Sequence, residues 1–177
     1  MDILSLPINI VIGNIISFFA SIVLVLSCVV NDKRQAYKYQ SIEALILAVS
    51  SAFFLSWTGI LTMLIAAARN YLVMNEKLSS RLAIMFIIIT IILCPIINTM
   101  GLIGLLPMIG IVQLTICNYY LKEIKWIKVA FIVNLLIYAV YFIGIYDLVS
   151  CATQIITAII GFISLIRLIR NEKIDDE

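Results

Sequence analysis

A chain of 177 residues that is 64% hydrophobic, 12% charged and only +2 in net charge, with a mean hydropathy of +1.17, carries more apolar surface than one soluble core can hide. That composition places the chain in a bilayer, and its length leaves no room for a second, soluble domain.

A hydrocarbon core about 30 Å thick takes roughly 20 helical residues to cross. Seven stretches qualify: residues 8–30, 39–57, 58–74, 82–97, 101–121, 127–145 and 148–169. They are apolar all round rather than alternating, which argues for helices and against a β-barrel. No Lys or Arg precedes the first stretch, so it is expected to stay as a span rather than be cleaved as a signal.

Polar side chains inside these stretches fall at helical spacing. Asn14, Ser17 and Ser21 share a face of the first span; Gly110, Gln113 and Cys117 share one in the fifth; Asn134, Tyr138 and Tyr141 one in the sixth; Gln154, Thr157, Gly161 and Ser164 one in the seventh. Ser, Thr and Gly are the ordinary packing residues of membrane helices. Asn14, Gln113, Asn134, Tyr138 and Gln154 are bulkier and polar near mid-span, and are the residues expected to line a path for a small polar solute. Two charges stand apart: Glu43, one turn into the second span, and Arg69, just before the end of the third. Antiparallel neighbours would bring them to one depth, so an ion pair is expected between them, with Gln40 and Asn70 alongside. A proton-coupling carboxylate at Glu43 is the alternative.

The spans from 82–97 outward also settle orientation. If all seven cross, the twelve Lys and Arg residues fall on one side: Lys33, Arg34 and Lys38; Arg69, Lys77 and Arg81; Lys122, Lys125 and Lys128; Arg167, Arg170 and Lys173. The opposite turns, Trp57-Thr58-Gly59, 98–101 and Tyr146-Asp147, have none. Cytoplasmic loops collect Lys and Arg, which predicts the N-terminus outside and the C-terminus in the cytoplasm. The layout then reads as an all-α polytopic membrane protein, one membrane domain with seven transmembrane helices arranged 3+1+3. Residues 8–74 and 101–169 form two parallel three-helix repeats, and 82–97 is the linker helix. Asn75-Glu76-Lys77 is echoed by Asn171-Glu172-Lys173. Tyr37, Tyr39, Tyr119, Tyr120 and Trp126 on one side, with Trp57 and Tyr146 on the other, suit interfacial aromatic belts.

Catalysis is not expected. The chain has no His, Asp147 is the one Asp in its helical body, and Glu43 alone cannot hold a metal. Cys28, Cys94, Cys117 and Cys151 stand singly and read as packing residues; no metal or other cofactor is implied. Phosphate loops and basic nucleic-acid patches are absent. The expected partners are the lipid bilayer and a small polar solute, with no nucleic acid; a homo-oligomer is compatible with the sequence. A non-transporting scaffold or regulatory protein, whose polar residues only lock helices together, is the competing expectation.

Gly13-Asn14, Asp32-Lys33-Arg34, Gln40, Gly59, Arg69-Asn70, Gly101-Leu102 and Leu106-Pro107-Met108 together resemble the YgjV-like bacterial inner-membrane proteins. The resemblance implies an inner (cytoplasmic) membrane location and little chemistry. The 3+1+3 layout also resembles the SWEET and PQ-loop transporters, in which two parallel three-helix bundles enclose a substrate path. The chain departs from that pattern at its prolines: Pro107 is not followed by Gln, and Pro7 and Pro95 lie outside the repeats' first helices.

Overall fold

The computed structural model describes residues 7–30, 32–121 and 123–175; the side chains of Cys28, Val29, Lys33, Ile124 and residues 171–175 lie outside that description, and so do Lys122 and the end of the tail. Among the described residues there are seven α-helices: α1 (Ile8–Val29), α2 (Lys33–Phe53), α3 (Trp57–Met74), α4 (Ser80–Ile97), α5 (Leu106–Tyr120), α6 (Ile124–Gly144) and α7 (Leu148–Asp175). A 3-10 turn, Ile103–Leu105, leads into α5. Among the described residues six helices are long and apolar enough to cross a membrane; α2 is not among them. Its first turns carry Lys33, Arg34, Gln35, Lys38, Gln40 and Glu43, which a helix tolerates when neighbours shelter it. Here α1 and α3 flank it along its length.

Short connections run the helices up and down. Val30, Asp32, residues 75–79, Leu121 and Glu123 collect at the end toward which most of the described Lys and Arg residues lie, called here the basic end; residues 54–56, 98–105 and 145–147 collect at the far end. The helix α1 packs on α2 and α7, α3 on α2 and α5, α6 on α5 and α7, while α4 rests on α3 and α5. The outward faces are apolar, with Phe18, Phe19, Ile91, Ile92, Val140 and Ile160 about half exposed, and Trp57, Tyr120, Trp126 and Tyr146 are exposed near the helix ends. The buried set is instead rich in Ala, Ser and Thr. Small residues let helices approach where lipid offers no hydrophobic drive to association. At Gly59 a Cβ would collide with the Tyr141 hydroxyl, and at Gly110 it would meet the Tyr138 ring at 2.8 Å.

Two corrections to the sequence reading arise at the turns. Trp57-Thr58-Gly59 is not the far turn but the first turn of α3; the chain reverses three residues earlier, over Phe54, Leu55 and Ser56. Glycine there serves close packing against Tyr141, and the left-handed position is taken by Leu55 at φ 56°. The echo of Asn75-Glu76-Lys77 in residues 171–173 also fails: the first forms a turn after α3, with Glu76 at φ 56°, whereas the second lies inside α7.

A closer correspondence takes its place. Helices α2 and α6 have both boundaries 91 residues apart (Lys33 and Ile124, Phe53 and Gly144), and so do the last residues of α1 and α5 (Val29 and Tyr120) and the first of α3 and α7 (Trp57 and Leu148). The far turns match in the same register. Ser56 N–H donates to Ser51 O at 3.0 Å and Leu55 N–H to Ala52 O at 3.1 Å, just as Asp147 N–H donates to Phe142 O at 3.0 Å and Tyr146 N–H to Ile143 O at 3.2 Å. Both are Schellman closures, with Leu55 and Tyr146 (φ 63°) in the left-handed position. Each is followed by a side chain that caps the next helix: Ser56 Oγ accepts from Gly59 N–H at 3.3 Å, and Asp147 Oδ1 from Ser150 N–H at 3.0 Å.

Candidate functional site

Polar side chains inside the bundle gather in two places. The first lies near the far end and is closed. Ser17 Oγ donates to Asp147 Oδ2 at 2.6 Å and lies 2.7 Å from Ser50 Oγ, whose one proton is shared between Ser17 Oγ and Gly13 O at 2.9 Å. On the other side Ser56 Oγ and Tyr141 Oη lie 2.6 Å apart. None of Ser17, Ser50, Ser56, Tyr141 and Asp147 exceeds 1% exposure. Asp147 sits in the α6–α7 turn, outside the spans; burial pushes its carboxyl above the usual carboxylate range, against the opposing pull of hydrogen bonds from Ser17 and Ser150.

The second place is a central cavity of about 60 Å³. Among the described residues every helix except α4 contributes to its wall: Leu24 from α1, Gln40 and Glu43 from α2, Met63, Arg69 and Asn70 from α3, Leu114 from α5, Asn134 and Tyr138 from α6, and Gln154 from α7. A neighbouring space of about 160 Å³ shares Gln40, Leu114 and Phe131 with it and extends to Tyr37, Asn118 and Lys128 at the basic end. The second space thus adjoins the cavity on the side of the basic end, away from the closed cluster.

The residues singled out from sequence divide between these settings. Asn134, Tyr138 and Gln154 line the cavity. Gln113 stands behind its wall: its Nε2 donates to Ala130 O at 3.0 Å, and its Oε1 accepts from Asn134 Nδ2 at 3.3 Å. Asn134 also donates to Gly110 O at 2.7 Å, so the pair clamps α5 to α6. Asn14 does not reach the cavity. Its Nδ2 donates to Ile10 O and Tyr146 O and its Oδ1 accepts from Val149 N–H at 3.2 Å, which fastens α1 to the far turn before α7. Helical spacing placed Asn14 on the inner face correctly, but the level along the helix matches the closed end.

Glu43 and Arg69 share the cavity without the expected ion pair: no guanidinium nitrogen comes within 4.0 Å of the carboxylate. Arg69, 3% exposed, is drawn to neutral acceptors instead. Its Nε and Nη2 donate to Asn70 Oδ1 at 3.3 and 3.1 Å, and its Nη1 donates to Thr115 Oγ1 at 3.3 Å. The sequence reading missed Thr115, Ser50 and Asp147. Their signal was faint, because Ser and Thr in membrane helices ordinarily mark packing and an Asp at a turn ordinarily faces water.

The Imp-YgjV family model, described as a bacterial inner membrane protein, matches residues 11–172. No curated protein and no solved structure matches the chain. The chain belongs to the Imp-YgjV family, as the short motifs of its sequence indicated, and is an integral protein of the bacterial inner membrane.

Proposed function

From membership of this family as a premise, we propose that the chain is a carrier or facilitator for a small polar solute and not an enzyme, with Glu43, Arg69, Asn134, Tyr138 and Gln154 on the solute's path. One observation carries the proposal: Glu43 and Gln154, unpartnered among the described residues, meet the partly partnered Arg69, Asn134 and Tyr138 on a cavity that a second space adjoins toward the basic end, while the other end is closed by partnered side chains. In the orientation that puts Lys and Arg in the cytoplasm, with the N-terminus outside and the C-terminus inside, this is an arrangement closed to the exterior. Two parallel three-helix repeats joined by α4, of SWEET or PQ-loop type, are supported by the 91-residue register and by the absence of α4 from the cavity wall among the described residues. Internal repeats enclosing a mid-membrane site are a common construction of secondary transporters.

A non-transporting scaffold is the alternative, favoured by the way Asn14, Ser17 and Gln113 spend their hydrogen bonds on neighbouring helices. The two part on wetness. In a background with all four native cysteines replaced, single cysteines at Glu43 and Gln154 should react with a membrane-impermeant thiol reagent from the cytoplasmic side only, and cysteines at Ser17 and Ser50 from neither. Inert cysteines at Glu43 and Gln154 would sink the carrier and leave the scaffold.

A further inference from the structure

Among the described residues Glu43 and Arg69 are the charged side chains on the central cavity, and each is left incomplete. Three of the five guanidinium N–H groups of Arg69 go to Asn70 Oδ1 and Thr115 Oγ1. The Thr115 hydroxyl donates to Ile111 O at 2.6 Å, so it meets Arg69 as an acceptor. Two N–H groups of a buried cation remain, with only neutral partners around them. From the described residues Glu43 receives no hydrogen bond, and the amide of Gln154, 6% exposed on the opposite wall, is uncommitted. A buried cation without a counter-charge is costly, and so is a sheltered carboxylate without a donor. A direct pair would relieve both, yet Asn70 and Thr115 hold the guanidinium away from it.

We infer that the cavity binds a small zwitterion: its carboxylate sits on the two spare N–H groups of Arg69, its ammonium on the Glu43 carboxylate, and the Gln154 amide completes its polar shell. Passage of that solute across the membrane rests on the carrier reading; binding does not. Charge balance selects the class. A zwitterion meets both protein charges and adds none, whereas a lone anion leaves Glu43 unmatched and a lone cation leaves Arg69 unmatched. Size narrows it further. A cavity of about 60 Å³ holds roughly five waters, about the heavy-atom count of glycine or alanine.

The test is calorimetric titration of the full chain in detergent with alanine, propionate, ethylamine and glycerol. Alanine should bind, with propionate and ethylamine at least tenfold weaker and glycerol weaker still. Glu43→Gln, a near-isosteric change, should weaken alanine at least tenfold and leave propionate unaffected. Propionate or ethylamine binding as tightly as alanine overturns the inference, as does no binding of alanine to the wild type or undiminished binding to Glu43→Gln. Uptake into proteoliposomes separates the two ideas. Alanine bound but not taken up leaves the site and removes the carrier; glycerol taken up by a protein that does not bind alanine does the reverse.

Discussion

The two polar clusters of this bundle use similar residue types to opposite effect. At the far end, Ser17, Ser50, Ser56, Tyr141 and Asp147 are completely buried and each is answered by another side chain or by a helix N-terminus. Around the cavity, no side chain among the described residues answers Glu43 and Gln154, and Arg69 is answered only by neutral oxygens. A satisfied polar group in a membrane protein holds helices together. One left unsatisfied beside a cavity is free of that task, which is what the proposed solute site requires.

That contrast can be broken most severely at Asp147. Replacing it by Ala leaves the Ser17 hydroxyl and the Ser150 N–H buried without acceptors, and should cost about 2–4 kcal/mol in detergent unfolding; a loss under about 0.5 kcal/mol would mean the cluster is not a lock. Gly59→Ala drives a methyl group into the Tyr141 hydroxyl and should cost about 1–3 kcal/mol, partly restored when Tyr141→Phe is added, which the double-mutant cycle would read. Tyr141→Phe alone loses one hydrogen bond to Ser56 and should cost about 1 kcal/mol. Glu43→Gln, which breaks no hydrogen bond or ion pair among the described residues, should change stability by no more than about 0.5 kcal/mol while weakening alanine binding at least tenfold. A large loss of stability there would make Glu43 a structural residue.

Acidity sharpens the comparison from another side. Burial raises the Asp147 carboxyl above its unfolded value. The folded state therefore holds the proton more tightly than the unfolded one, and this contribution to stability is complete at low pH and is lost as pH rises through the folded value. Unfolding curves should weaken over the interval above the ordinary carboxylate range, and Asp147→Asn should flatten that dependence. A dependence that survives Asp147→Asn belongs to another group.

Much of the fold was legible before the structure. The stretches at 8–30, 82–97 and 148–169 correspond closely to α1, α4 and the apolar part of α7, because about 20 uninterrupted apolar residues is a demand of the bilayer itself. The α2–α3 boundary was misplaced because glycine suggested a turn, whereas Leu55 takes the left-handed position and Ser56 supplies the cap. Of the five residues expected to line a solute path, Asn134, Tyr138 and Gln154 line the cavity, Gln113 stands behind it and Asn14 belongs to the far end. Periodicity says which face of a helix is polar, and is silent on the level at which neighbours meet it.

The sequence by itself determined a helical membrane protein, the number of its helices, its charge-sided loops and its family, since each follows from local composition in a solvent that forbids unpaired backbone. Tertiary structure decided which polar groups find partners. Thr115, from a helix more than 40 residues away in sequence, and Asn70 together turn Arg69 from Glu43, while Ser17 and Asp147 close the far end across 130 residues. Those pairings depend on how small residues let helices slide, rotate and approach, and an open cavity exists only where several helices leave their polar faces unmet.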